Sequence, residues 1–296
     1  MPLSEESCPV LVTGAAGLLG HDLGPLLAAE APDPSAIHLT DVDELDVTDA
    51  AAVASAMARL APRTLVNLAA WTDVDGAEDH AGEARRLNVE APGLLARAAA
   101  GVGAILVHMS TDFVFDGAKA GPYVEADPPA SQGVYARTKA EGEARVRQAA
   151  PDHHLIVRTA WMYGAGGRNF VDAVVARGRE GKPLRVVTDQ VGCPTWSADL
   201  ARALVAMVAA GLRGTVHACG AGEASRWDLA VEALAAAGLE TVPERITSAD
   251  LPPGAPRPAR AVLACERLAR EAGFRFPPWQ ESVRRYVRGE PPADAP

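Results

Sequence analysis

The sequence predicts an α/β fold: a doubly wound parallel sheet of the Rossmann-like type with a second, smaller α+β substrate lobe. Short apolar runs alternate with longer helical stretches over residues 9–158. The runs are continuously apolar, which is typical of strands that helices cover on both faces. A glycine-rich turn directly after the first run indicates a dinucleotide site at the edge of that sheet.

Five apolar runs are predicted as strands, and three of the stretches between them as helices. The strands are CPVLVT, AIHLT, TLVNLA, AILVHMS and HLIVRT in chain order. The helices are expected at residues 49–60, 81–100 and 135–149. Repeated βα units of this kind predict the doubly wound sheet.

The regular alternation of strands and helices ends beyond Trp161, where Gly- and Pro-rich loops separate a few helices. This change predicts the smaller lobe. We expect residues 1–162 to form the dinucleotide-binding domain and residues 163–296 the substrate-binding lobe. The run GTVHACG at 214–220 is predicted to be a strand that returns to the main sheet. The boundary is therefore expected to be interleaved, with the returning segment near 188–220. Ser225 and Asp228 have the spacing of a capping box, and Gly238 closes that helix.

Composition and charge limit the possible partners. The chain has 296 residues, 48% of them hydrophobic and 22% charged, which predicts a globular protein. A net charge of -10 would repel a nucleic-acid backbone or an anionic membrane, so neither is expected as a partner. The start MPLSEESCPV has no basic or long apolar region, and no run of eighteen apolar residues follows. A cytoplasmic location is expected.

The cysteines predict neither a metal site nor a dithiol redox site. Cys8, Cys193, Cys219 and Cys265 are far apart in the chain and form no C-x-x-C pair. Buried, reduced thiols are therefore expected at these four positions, and no metal ligand is assigned.

The turn TGAAGLLGHDL places Gly14, Gly17 and Gly20 between the first strand and the first helix. Glycines there permit a tight turn and let backbone N–H groups approach a pyrophosphate. Asp41 follows the second strand, where a carboxylate would bond the adenosine ribose and repel a 2′-phosphate. NADH is therefore favoured over NADPH, with Asp43 and Asp46 left open as rivals for that role.

The strand AILVHMS ends in STDFVFDG, and Tyr135 with Lys139 follows on a predicted helix. Residues four apart lie on one helix face, so the phenol and the ammonium can converge. We expect Thr111 to align a substrate oxygen, Tyr135 to deliver a proton to it, and Lys139 to lower the pKa of the phenol. This set predicts reduction of a ketone by a nicotinamide hydride. The alternative is an ordinary amphipathic helix with a packed tyrosine and a solvated lysine.

Two arginines in PGAPRPARAV are candidate diphosphate ligands. Arg257 and Arg260 can each form bidentate bonds to an anion, which an acidic protein needs locally. The alternative is that both are surface arginines.

Several motifs together carry a family resemblance. TGAAGLLG, NLAA and YARTK resemble the extended short-chain dehydrogenase/reductase superfamily. VNLAAWTDVDGAE, LNVEAPGLLA, STDFVFDG, RTAWMYG and DQVGCPTWSADLA are similar, in order and spacing, to the dTDP-4-dehydrorhamnose reductase family over nearly the whole chain. The resemblance implies an oxidoreductase that reduces the C4 ketone of dTDP-6-deoxy-L-lyxo-4-hexulose to dTDP-L-rhamnose with NADH or NADPH.

The resemblance also implies roles for individual residues, by matching position. The residues implied to hold the cofactor are Gly17, Leu18 and Leu19 at the pyrophosphate, Asp41 at the ribose, Asp46 and Val47 at the adenine, and Ala69, Ala70 and Trp71 beside the nicotinamide. The residues implied to contact the deoxysugar nucleotide are Thr111, Asp112 and Trp161. Tyr135 and Lys139 are implied to move the proton and to hold the nicotinamide ribose.

Three positions depart from the family pattern. Phe113 stands where the family mostly has tyrosine, Trp71 where it often has tyrosine or histidine, and Cys193 where it usually has alanine. A different nucleotide-linked 4-keto sugar, from a secondary-metabolite pathway, therefore stays open as the substrate.

Two other functions also stay open within the superfamily. One is a non-catalytic regulatory subunit similar to the methionine adenosyltransferase partner, and the other is an epimerase or dehydratase that retains NAD through turnover. The family's occasional magnesium-bridged dimer uses surface carboxylates that do not align here, so Mg²⁺ is not supported by the sequence. We expect a monomer or a homodimer.

Overall fold

The computed structural model describes residues 2–293. The strands are β1 (Val10–Thr13), β2 (Ile37–Thr40), β3 (Thr64–Asn67), β4 (Ile105–Thr111), β5 (His154–Thr159), β6 (Met162–Tyr163), β7 (Arg185–Val187), β8 (Val191–Gly192), β9 (Thr195–Trp196), β10 (Gly214–His217), β11 (Ala224–Ser225) and β12 (Glu244–Ile246). The helices are α1 (Leu18–Glu30), α2 (Ala50–Leu60), α3 (Gly76–Asp79), α4 (Ala81–Arg85), α5 (Ala91–Gly101), α6 (Gly133–Ala149), α7 (Phe170–Arg179), α8 (Ser197–Ala209), α9 (Arg226–Ala236), α10 (Glu266–Ala272) and α11 (Trp279–Arg288).

A six-stranded sheet in the order β10-β5-β4-β3-β1-β2 forms the centre of the molecule. All neighbouring pairs in it are parallel. The five predicted strands are confirmed as β1 to β5. The strand expected within 214–220 is also confirmed, because β10 pairs with β5 at the edge of the sheet.

Helices cover both faces of this sheet, which confirms the doubly wound fold. Successive side chains of a strand point to opposite faces. In β1, Val12 therefore packs in a core with α1 and α8, whereas Leu11 packs in a separate core with α2, α5 and α6. Burial on both sides explains why the strands are continuously apolar.

The strand order reverses at β1. The chain places β2 on one side of β1 and β3 on the other. The loops that leave the carboxyl ends of β1 and β3 diverge there, and ligands of open α/β sheets bind in that crevice.

A smaller group of elements lies beside the carboxyl ends of the strands. It contains the strand pairs β7–β12 and β8–β11, with α7, α9 and α11 packed around Leu229 and Val283. The predicted capping box is confirmed, since Ser225 and Asp228 bond each other's backbone at the start of α9. Gly238, predicted to close α9, follows its end with φ +71°, the left-handed conformation common for a glycine at that place.

The helix expected at 81–100 is confirmed as an unbroken helical stretch, but it contains a π-helical turn. A π-helical turn at Arg86–Glu90 separates α4 from α5. Such turns insert an extra residue and are frequent at functional sites, and periodicity alone does not reveal them. The other two predicted helices are confirmed, with Asp49 acting as the N-cap of α2 and α6 beginning two residues before Tyr135.

Residues 2–293 contain neither a membrane-spanning helix nor a cluster of metal ligands. No helix there has the length and apolar character to span a membrane. No group of three or more His, Cys, Asp or Glu side chains in the same range is placed to hold a metal ion. All four cysteines are free: Cys193 and Cys219 are buried as expected, whereas Cys8 and Cys265 are only half-buried. The fold brings the sulfur atoms of Cys219 and Cys265 within 3.5 Å.

Candidate active site

A crevice of about 880 Å³ lies at the carboxyl ends of β1, β3 and β4. It collects most of the residues that the sequence singled out. Those that line it are Gly14, Gly17, Leu18, Leu19, Gly20, Asp41, Ala69, Ala70, Thr111, Asp112, Tyr135, Lys139 and Trp161. The glycine turn and the tyrosine–lysine pair, over a hundred residues apart in the chain, therefore face one space.

The glycine turn forms a close-packed backbone cradle. Gly14 has φ +71°, and a Cβ there would lie 2.6 Å from the backbone nitrogen of Ala69. A Cβ on Gly20 would lie 2.2 Å from the carbonyl oxygen of Ala15. Gly17 caps α1 without a side-chain bond, so the first N–H groups of this helix have no partner within it. A positive helix end with free donors fits a pyrophosphate.

Asp41 fastens the end of β2 to this cradle. Its Oδ2 accepts a hydrogen bond from the Ala16 backbone N–H at 2.9 Å, and its Oδ1 accepts one from Val42 at 2.8 Å. The rivals Asp43 and Asp46 do not line the crevice. Asp41 therefore presents the carboxylate nearest to the glycine turn among the three.

Thr111, Tyr135 and Lys139 come together at the end of β4. Tyr135 and Lys139 project from the first turns of α6, and Lys139 Nζ donates to the carbonyl oxygen of Met109 on β4 at 2.7 Å. Thr111 Oγ1 donates to Asp112 Oδ1 at 3.0 Å. The ring of Phe113 meets the ring of Tyr135 edge-on, with centroids 5.7 Å apart.

The expectation that Lys139 lowers the pKa of the phenol is wrong for this structure. Burial raises the pKa of Tyr135 to about 12; the Asp112 carboxylate adds to the increase, and the neighbouring Thr111 hydroxyl opposes it. The Lys139 ammonium is held by the Met109 carbonyl, and burial lowers the pKa of Lys139 to about 8. The spacing on the helix predicted that Tyr135 and Lys139 lie on one face. It could not predict the burial that decides whether the pKa of Tyr135 rises or falls.

Asp112 is an unusual carboxylate in this crevice. It is 2% exposed, and its Oδ2 has no hydrogen-bond partner among the described residues. Burial raises its pKa to about 7, against a bond from Thr111 and the positive charge of Arg226. Near neutral pH this group can therefore either accept or donate a hydrogen bond.

A buried ion pair supports α6 from beneath, and sequence reasoning missed it. Glu143, one turn after Lys139, is fully buried and accepts two bonds from Arg158 on β5, at 2.8 and 2.7 Å. Ser110 donates to the same carboxylate at 2.6 Å. Burial alone would raise the pKa of Glu143, but the bonds from Arg158 and Ser110 lower it to about 2. Arg158 within the mostly apolar run HLIVRT was the one sign in the sequence that a buried acidic partner was needed.

Asn88 is a second residue that the sequence did not reveal. It lies in the π-helical turn, is fully buried, and holds the loop after β3 through both atoms of its amide. Its Oδ1 accepts from the Trp71 backbone N–H at 2.9 Å, and its Nδ2 donates to the Trp71 carbonyl at 3.1 Å. Asn88 thus fixes the segment that carries Ala69 and Ala70.

Three predicted cofactor residues do not line the crevice. Val47 is buried in the core beneath α2 and α5. Asp46 is exposed, and its carboxylate accepts bonds from the backbone and hydroxyl of Thr48. The indole of Trp71 donates to the Asp73 carbonyl at 2.9 Å and packs beside His80.

The two candidate diphosphate ligands are both paired with carboxylates. Arg257 donates to the two oxygens of Asp75 at 3.1 and 2.7 Å, and it lines a second cavity of about 930 Å³. Arg260 is paired with Glu223. Neither arginine lines the crevice of Tyr135.

Comparisons with known proteins agree on one family. The family model described as RmlD substrate binding domain matches residues 8–290. The dTDP-4-dehydrorhamnose reductase of Streptomyces griseus is 44% identical over 261 residues, which are 86% of this chain and 84% of that protein. A Streptomyces antibioticus protein named probable dTDP-4,6-dihydroxy-2-methyloxan-3-one 4-ketoreductase is 41% identical over 281 residues, 93% of this chain and 92% of that protein.

A solved structure agrees with the sequence relatives. The dTDP-4-dehydrorhamnose reductase of Bacillus anthracis in complex with NADP has a TM-score of 0.90 and 31% identity to this chain. The match covers 95% of this chain and 98% of that one.

Proposed function

The chain belongs to the dTDP-4-dehydrorhamnose reductase family, and from this membership we propose that it reduces the C4 ketone of dTDP-4-dehydrorhamnose to give dTDP-L-rhamnose, using NAD(P)H. The observation that carries the proposal is a shared crevice: Thr111, Tyr135 and Lys139 line the same space as the glycine turn. A hydride donor and a proton donor must both reach one carbonyl, and a single crevice meets that requirement.

The cofactor fits the cradle that the glycines leave open. The free N–H groups at the start of α1 would hold the pyrophosphate, and Asp41 would bond the adenosine ribose. Ala69 and Ala70 would lie beside the nicotinamide, and Lys139 would hold its ribose. When bound, the cofactor supplies the hydride that adds to C4 of the sugar.

The phenol of Tyr135 acts as the proton donor. Its pKa of about 12 keeps it protonated across the neutral range, which is the form that an acid needs. As C4 is reduced, negative charge grows on the ketone oxygen, and hydrogen bonds from Tyr135 and Thr111 stabilise that charge. The oxygen then takes the phenolic proton, because an alkoxide is a much stronger base than a phenolate. The Thr111 hydroxyl, which opposes the rise in the Tyr135 pKa, stabilises the phenolate that remains.

We propose NADH as the preferred cofactor. The Asp41 carboxylate lines the crevice beside the glycine turn, and Glu44 accepts a bond from the Asp41 backbone at 2.9 Å. Two carboxylates at this end would repel a 2′-phosphate. The Bacillus anthracis relative was solved with NADP, so kcat/KM measured with NADH and with NADPH tests this preference.

The name of one relative supports an alternative substrate, a different nucleotide-linked 4-keto sugar. The Streptomyces antibioticus protein, named as a probable 4-ketoreductase, matches 93% of this chain. A regulatory subunit is disfavoured, because Thr111, Tyr135 and Lys139 are all present in the crevice. We also propose that the domains divide at residue 162, that the protein is cytoplasmic, and that it is a monomer or a homodimer.

The test is turnover by a tyrosine variant. NADH consumption is followed with dTDP-4-dehydrorhamnose as substrate, and Tyr135→Phe should lower kcat by at least ~10²-fold, as expected for loss of a general acid. NADH affinity should stay nearly unchanged. Tyr286→Phe is the matched control, because its hydroxyl bonds Asp172 away from the crevice. An active Tyr135→Phe enzyme would refute the proton-donor role, and wild-type protein that leaves NADH unconsumed would refute the proposed function.

A further inference from the structure

Arg226 lies where the catalytic crevice meets the second cavity. It lines both spaces, one with Tyr135 and Lys139, the other with Arg185 and Arg257. Its backbone is fixed by the capping box of α9 and by a bond from its own N–H to the Gln190 carbonyl at 3.2 Å. The guanidinium therefore occupies a defined position at the junction.

The side chain of Arg226 is stacked, not paired. Its guanidinium carbon lies 3.6 Å from the ring centroid of Trp161, a distance typical of a strong cation–π contact. The same indole also packs closely against Gly192, where a Cβ would lie 2.6 Å from ring atom Cε2. Trp161 therefore contacts both a glycine backbone and a planar cation.

The donors of Arg226 are free within the described chain. No carboxylate of residues 2–293 forms a salt bridge with Arg226, and its guanidinium donates no hydrogen bond to them. Within the same range, none of its nitrogens is both fully buried and without a hydrogen-bond partner. The two other arginines of the second cavity are each paired with a carboxylate. Arg257 forms a salt bridge with Asp75, and Arg185 lies 3.6 Å from Glu244.

A sugar nucleotide would bring its anion to this point. With the C4 ketone at Tyr135, the diphosphate on C1 points across the sugar ring, away from the reacting oxygen. Arg226 lines the same crevice as Tyr135 and also reaches the second cavity, so it lies beside the space that the diphosphate would enter. In a chain of net charge -10, a diphosphate needs a local cation that no carboxylate already holds in a salt bridge.

We propose that Arg226, stacked on Trp161, is the residue that binds the diphosphate of the nucleotide-sugar substrate. This inference rests on the proposed function for its substrate class. It reassigns the role that the sequence gave to Arg257. The stacked guanidinium is pre-organised, so its fork of N–H donors can meet the anion with little loss of side-chain freedom.

The experiment measures binding of two probes, dTDP and thymidine, by calorimetry with the full-length protein. Arg226→Gln should weaken dTDP binding about 10- to 100-fold, the factor for losing hydrogen bonds to a charged group. Thymidine binding should change by less than about threefold, because it lacks the phosphates. Arg226→Lys should recover part of the dTDP affinity, since it keeps the charge but loses the planar fork.

Two further variants and one further ligand complete the design. Arg257→Gln tests the rival arginine and should weaken dTDP binding less than Arg226→Gln does. Arg245→Gln is the matched control, because Arg245 also stacks on a tryptophan, Trp227, at 4.0 Å, but outside both cavities. Unchanged NADH binding in Arg226→Gln shows that the variant is folded.

The outcomes separate this inference from the proposed function. The inference is overturned if wild type binds no dTDP, or if Arg226→Gln binds dTDP as tightly as wild type. It is also overturned if Arg226→Gln weakens the binding of dTDP and of thymidine by the same factor, or if Arg257→Gln weakens dTDP binding more than Arg226→Gln does. If wild type binds dTDP through Arg226 but reduces no dTDP-4-keto sugar, the proposed function fails and the inference stands. If turnover is normal and Arg226→Gln retains wild-type dTDP affinity, the inference alone fails.

Discussion

Replacing Asp112 by asparagine should flatten the pH dependence of stability. The pKa of this buried carboxyl is raised from 3.8 to about 7. A raised pKa means that its contribution to stability is fully present below pH 3.8 and is lost as the pH rises through 7. The two pKa values differ by about 3 units, and each unit is worth about 1.4 kcal/mol, so full ionisation costs about 4 kcal/mol. About 3 kcal/mol of that loss falls between roughly pH 5 and 8.

The assay is urea unfolding of wild type and Asp112→Asn at several pH values across that range. Asparagine keeps the shape of the side chain but cannot ionise, so the difference in unfolding free energy between the two proteins should shift by about 3 kcal/mol in favour of the variant as the pH rises. Buried His217, whose pKa is lowered to about 3, titrates identically in both and cancels. Parallel pH curves would show that Asp112 ionises at its ordinary pKa.

Three other perturbations test the surroundings of the site. Glu143→Gln should lower the free energy of unfolding by about 3–5 kcal/mol, because it leaves buried Arg158 unpaired. Urea unfolding at neutral pH measures this, and a loss below about 1 kcal/mol would contradict it. Asp41→Ala should reduce the ratio of kcat/KM for NADH to kcat/KM for NADPH, because it removes the carboxylate that would repel the 2′-phosphate. An unaltered ratio would mean that another group distinguishes the two cofactors. Gly192→Ala should displace the Trp161 ring and raise KM for the sugar nucleotide, with NADH affinity unchanged; a normal KM would mean that the ring tolerates the methyl group.

The central sheet was predictable because its signals are local. Strands β1, β3, β4 and β5 are mostly apolar runs, because they are largely buried on both faces. The glycine turn was equally visible, because the close approach to Ala69 and Ala15 excludes a side chain. The π-helical turn was not visible, since it depends on Asn88 finding partners on the loop after β3 and on α6.

The proximity of Thr111, Tyr135 and Lys139 was predictable, but their electrostatics were not. Helix spacing placed Tyr135 near Lys139, yet the pKa of each group depends on desolvation by distant segments. The roles of Glu143 and Arg226 likewise depend on partners 15 and 65 residues away, Arg158 and Trp161. Side chains whose role comes from a tertiary partner leave no periodic trace in the sequence.

The three departures from the family pattern do not weigh equally on the identity of the sugar. Cys193 is 1% exposed and packs in a core with Val114 and Phe115, so it has no direct contact with a ligand in the crevice. Trp71 does not line the crevice, and its indole is bound to the Asp73 carbonyl. Phe113 does line it, edge-on to Tyr135. Phe113 lacks the tyrosine hydroxyl beside Tyr135, the proposed proton donor, so among these three departures only Phe113 is placed to change the sugar preference.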